Sequence, residues 1–207
     1  MGDMTLDSIA LLKKYIKDPR KETYKKYIEL MTLIEISRKS LSNYLVQIGA
    51  HDLPRNISNQ HMAMILSVRS LERVPILGQR FLDALRATLK KGEFNVHPLI
   101  IKESDYLLNI VNSITKRGIK QLVRYSSKRK EEVRALSDKL NRTVEEFSTN
   151  HVIRRTECEF DYLAEIKLLE RMGHHGIRLQ KYTRTGNKDI EVIVLDEKLE
   201  KELSIDA

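Results

Sequence analysis

The chain has 207 residues, 41% of them hydrophobic, which is enough length and apolar content for a buried core. No run approaches the roughly 18 apolar residues that cross a bilayer, and Met1–Asp7 has neither the basic lead nor the apolar stretch of a secretory signal. The single cysteine, Cys158, excludes an internal disulfide and a thiolate-built zinc site, and the net charge of +8 points to anionic partners.

Leu6, Ile9, Leu12 and Ile16 recur at helical spacing, and Asp18-Pro19 supplies a stop, so a short amphipathic helix is expected over 6–16. Gly2 does not open a myristoylation signal, because the position that needs Ser or Thr is Leu6. From Tyr24 the apolar residues Tyr27, Met31, Ile34, Leu41, Leu45 and Ile48 step by threes and fours around Arg38, and Gly49 closes the run. The spacing predicts a long helix over 24–48.

His51, Asp52, Pro54, Asn56 and Ser58 are turn formers, so Ala50–Asn59 is the expected linker and the next helix starts after Ser58. Pro75 is expected to end it. Ile76–Lys91 then forms another helix, with Leu77, Phe81, Leu85 and Leu89 on one face and Gly92 as its cap. Between Ser104 and Phe147 two apolar stripes, Leu107, Val111 and Ile114, then Val133, Leu136, Leu140, Val144 and Phe147, imply two helices broken near Ser126-Ser127. Gly118 is a weak point in the first of them.

Glu157–Met172 reads as a helix with Phe160, Leu163, Ile166 and Leu169 on its buried face. After it the period changes. Ile177 and Leu179 alternate with Arg178 and Gln180, residues 183–188 are turn chemistry, and Ile190, Val192 and Val194 alternate again, which predicts a β-hairpin with those apolar residues on one face. A short acidic helix over 197–203 follows. The expected fold is mainly α: a helical bundle over 1–150, and a C-terminal unit over 151–207 of helix, β-hairpin and terminal helix packed on it.

The strongest charge feature is Lys116, Arg117, Lys120, Arg124, Lys128, Arg129 and Lys130, a basic run without an acid. Residues 117, 120, 124 and 128 share a helix face, spaced to meet successive phosphates, with Tyr125 beside them to stack on a base. A second basic set, Arg178, Lys181, Arg184 and Lys188, surrounds the hairpin turn at Gly186-Asn187. Helix followed by basic hairpin over Asp161–Leu195 resembles the ending of winged-helix domains, in which the hairpin lies along the DNA backbone. Glu157, Glu159, Asp161, Glu165 and Glu170 on the preceding helix would repel DNA, so either that helix packs against protein or the hairpin works alone. The pair of helices about Pro75, with Arg69, Arg73, Arg80, Arg86, Lys90 and Lys91, is a third place to look, as a helix-turn-helix.

Enzyme chemistry finds no support in the residues. The six histidines, His51, His61, His97, His151, His174 and His175, fall in no metal-ligand spacing, and the last pair reads as a helix end. Glu157 and Glu159 beside Cys158 oppose its activation. No phosphate-cradling glycine motif or nucleophile elbow occurs, and Gly173 and Gly176 read as linker residues. The expectation is a non-enzymatic nucleic-acid-binding protein, DNA or RNA undecided, without cofactor, metal or membrane, in the cytoplasm or nucleus. The alternative is a helical adaptor or assembly subunit that meets a protein partner, or a second copy of itself, through residues 24–48.

Overall fold

The computed structural model describes residues 1–90, 98–154 and 162–182. Among them are six helices: α1 (Gly2–Lys17), α2 (Lys21–Gly49), α3 (Arg55–Lys90), α4 (Pro98–Val123), α5 (Ser127–Arg154) and α6 (Tyr162–Tyr182). One core cluster draws Ile9 and Leu12 from α1, Tyr27 from α2, Phe81 and Leu82 from α3, Leu107 and Ile114 from α4, Leu140 from α5 and Leu169 from α6. No helix among the described residues is long and apolar enough to cross a membrane.

α6 sits against α3, α4 and α5, while α1 packs on α2, α3 and α4. Tyr162 meets Ser104 at 2.9 Å near the start of α6, and Gly176 and Leu179 back onto Gly118 near the end of α4, so α4 and α6 run parallel. Their approach is close because glycine faces glycine: a Cβ on Gly118 would stand 2.5 Å from the Gly176 carbonyl oxygen. α5 returns antiparallel, with Leu140 beside Gly173 and the His151 ring 5.6 Å from that of Tyr162.

The hairpin is overturned in its first half. Ile177 and Leu179 belong to α6, which continues to Tyr182, and there is no strand among the described residues. Alternation over four residues was outweighed by a helical set on both sides of it, Leu169, Met172, Gly173, Gly176, Leu179 and Tyr182, all buried. Gly173 and Gly176 are therefore not linkers, and their helix-weakening cost of about 1 kcal/mol each is offset by the close packing they permit. The winged-helix resemblance falls with the hairpin. The turn 183–188, with Arg184 and Lys188, the strand of 190–194 and the helix of 197–203 lie outside the described residues.

The expected helix break at Pro75 is also absent, and with it the helix-turn-helix. Proline has no N–H, so the carbonyl four residues back, at Leu71, loses its helical donor. Thr5 of α1 replaces it: its hydroxyl donates to Leu71 O at 3.0 Å, while the Thr5 backbone N–H serves the other nearby acceptor, Met1 O, also at 3.0 Å. Tyr27 of α2 donates its hydroxyl to Pro75 O at 2.7 Å. Burial pushes the Tyr27 phenol up from its ordinary value, so it remains a donor.

A pairwise test follows. Thr5→Val should cost about 1–3 kcal/mol, because it leaves a buried carbonyl unserved. In a Pro75→Ala background, where residue 75 regains its N–H, the same change should cost at least about 1 kcal/mol less. Urea unfolding of the four proteins measures the coupling, and strictly additive costs would refute the substitution of hydroxyl for amide.

Candidate nucleic-acid interface

The basic run of 116–130 spans the last turns of α4, the connection 124–126 and the first turn of α5. Its geometry is held by Gln121, 1% exposed, whose side-chain amide donates to Ser126 O at 3.0 Å and accepts the Ser126 N–H at 2.8 Å. Ser126 then caps α5, its hydroxyl accepting the Arg129 N–H at 3.4 Å. This corner is rigid because a buried side chain and a capping residue hold the same turn.

Two of the seven cations are committed to that corner. Arg117 donates from Nε to Glu132 Oε2 at 2.8 Å, and this bond holds the Glu132 carboxyl below its ordinary value. Arg129 turns its Nη1 onto the carbonyls of Arg124 at 2.6 Å and Lys120 at 3.1 Å, closing the C-terminal end of α4 where a cation also opposes the helix dipole. Lys116, Lys120, Arg124 and Lys128 are exposed and make no ion pair with an acid among the described residues, and Lys130 is half-buried. Between them stand Tyr125, 50% exposed, and Val123, 85% exposed.

The second expected set is divided. Arg178 and Lys181 lie on α6 rather than on a hairpin, and Arg184 and Lys188 are outside the described residues. A basic face that the sequence reading missed takes their place. Lys167, Arg171, His174, Arg178 and Lys181 are spaced by fours and threes on the side of α6 opposite its buried residues, over a length of about 21 Å. Lys167 pairs with Glu170 at 2.8 Å, whereas Arg171 and Lys181 are exposed and make no ion pair with an acid among the described residues. The periodicity was present in the sequence, but reading residues 177–180 as a strand cut it in two.

His174 and His175 stand inside α6, not at its end. His175 is largely buried, its Nδ1 meets no hydrogen-bond partner among the described residues, and its pKa is pushed down to about 3. Burial is the main cause, and the charges of Arg178, Arg73, Arg171 and His174 add to it. Arg73, on α3, is thus near enough to act on this ring.

α2 buries only Thr23, Tyr27, Ile34 and Leu45. Leu33, Ile36, Tyr44 and Val46 along the same helix are each more than half exposed. The described residues contain no group of three His, Cys, Asp or Glu side chains placed to hold a metal ion. No protein-family model, no curated protein and no solved structure matches the chain.

Proposed function

We propose that the protein binds nucleic acid through backbone phosphates, with the α4–α5 corner as its primary contact and without sequence readout. The observation that carries this reading is the group Lys116, Lys120, Arg124 and Lys128, four exposed cations that make no ion pair among the described residues, Lys128 acting on the Glu132 carboxylate only at longer range, with the exposed ring of Tyr125 in the connection between α4 and α5. A surface cation without a protein partner keeps its full charge for a ligand, and an aromatic ring beside it offers a stacking surface to an unpaired base. Rigid anchoring of the turn lowers the ordering cost of binding. Arg117 and Arg129 serve the corner and not the ligand.

The test is binding to labelled single-stranded DNA, duplex DNA and RNA over a series of salt concentrations. A variant with Lys116, Lys120, Arg124 and Lys128 as glutamine runs alongside. The wild type should lose affinity steeply with salt, and for the duplex the logarithmic slope should flatten in the variant by about 3–4, roughly 0.9 per lost phosphate contact. No binding above background at about 0.15 M salt would overturn the reading.

A second reading, a helical adaptor that meets a protein partner through α2, rests on the exposure of Leu33, Ile36, Tyr44 and Val46. On that reading Leu33→Asp with Ile36→Asp abolishes the partner complex, and the glutamine variant of the corner leaves it intact.

A further inference from the structure

We infer that the protein holds two nucleic-acid segments at once, one at the α4–α5 corner and one along the basic face of α6 with Arg73, and so bridges them. The inference rests on the reading that the corner binds phosphates. It adds a second site and a consequence of where that site lies.

The two basic surfaces face apart. On α4, Gly118 meets Gly176 and Leu179 of α6. Lys116 and Lys120 stand two residues to either side of Gly118, about 160° round the helix from that contact, and both are exposed. On α6 the reference point is Gly176. Lys167, Arg171, His174, Arg178 and Lys181 all stand about 140–180° round the helix from it, so the face they form looks away from α4. Lys116 and Lys120 are therefore separated from the α6 face by the thickness of two packed helices, about 20 Å. A rigid duplex lying along the α6 face does not reach that pair.

The α6 face has the features of a phosphate track in its own right. Five basic side chains follow one line; Glu165 is buried off it, and Glu170 at its edge pairs with Lys167, which leaves Arg171, His174, Arg178 and Lys181 as the track. Arg73, exposed on α3, is near enough to act on the His175 ring, as Arg171 and Arg178 of α6 do, and α3 packs against α6. Like charges gathered across a helix junction repel one another, and an anion seated there relieves that repulsion.

The experiment uses two short duplexes of the same sequence, one biotinylated and immobilised, the other fluorescent, with the full chain added between them. Wild-type protein should retain the fluorescent duplex, with retention rising and then falling as protein comes into excess and coats each duplex separately. A variant with Arg73, Arg171, Arg178 and Lys181 as glutamine should still bind single duplexes, within about threefold of wild type, and lose retention at least tenfold. Circular dichroism confirms that its helix content is kept. If wild type binds single duplexes but never retains the second, or if the variant retains it as well as wild type, the inference is wrong while the proposed function stands. If wild type binds neither duplex, both fall together, and the salt series above identifies that case beforehand.

Discussion

Gly118→Ala should destabilise the protein by about 2–4 kcal/mol, although the same change at an exposed helical position is favourable by about 1 kcal/mol. The sign is decided by what the new methyl group meets. Its carbon would stand 2.5 Å from the backbone carbonyl oxygen of Gly176 and 3.0 Å from Leu179 Cβ, and neither atom is the end of a flexible side chain. Relief requires α4 and α6 to part, which loosens Ile114, Leu107, Ile166 and Leu169 in the centre of the core. For a chain of this length the melting temperature should fall by roughly 5–15 °C.

Gly173→Ala provides the contrast. Its new carbon would meet Leu140 Cδ2, the end of a side chain that can turn aside, so the expected cost is about 1 kcal/mol or less. Thermal unfolding of the two variants compares a backbone obstacle with a side-chain one. A Gly118→Ala protein as stable as wild type would show that the α4–α6 contact is not set by the missing side chain.

These glycines also show why part of the fold was legible in the sequence and part was not. α1, α2 and the break between α4 and α5 follow from apolar spacing and from local stops, Asp18-Pro19, Gly49 and Ser126-Ser127, because each signal acts within a few residues of its effect. The continuity of α3 through Pro75 depends on Thr5, sixty-six residues away, and no local rule supplies that partner. α6 runs through Gly173 and Gly176 because glycine suits its contact with α4. In isolation the same residues weaken a helix, and the strand signal at 177–180 won by default.

The candidate interface divides in the same way. That residues 116–130 carry an excess of cations is a property of composition. Which of them remain available is a property of packing: Arg117 is drawn to Glu132, and Arg129 to the carbonyls that end α4. The basic face of α6 needed only the right period to be seen. That Arg73 of α3 acts on a side chain of α6 needed the fold.

His175 should make stability depend on pH in a way that one substitution removes. Its ring, with a pKa near 3 in the folded protein, is neutral at pH 5, whereas in the unfolded chain it titrates near 6.5. Between those values the unfolded state binds more protons, so the contribution of His175 is present in full above about pH 6.5 and is lost as pH falls toward 3. His175→Gln keeps a polar side chain of similar reach and cannot titrate there. Between pH 7 and 4.5 the variant should gain on wild type by about 2–3 kcal/mol in urea unfolding, from two pH units at about 1.4 kcal/mol each. Parallel pH profiles for the two proteins would refute the assignment. The same ring reports on the second nucleic-acid face, because the charges of Arg178, Arg171 and His174 on α6 and Arg73 on α3 add to burial, the main cause, in holding its proton off. A phosphate backbone against those cations offsets their repulsion and raises the His175 pKa, so duplex bound along α6 should flatten the acid limb of the wild-type profile. Duplex bound only at the α4–α5 corner, on the far side of α4, should leave it unchanged.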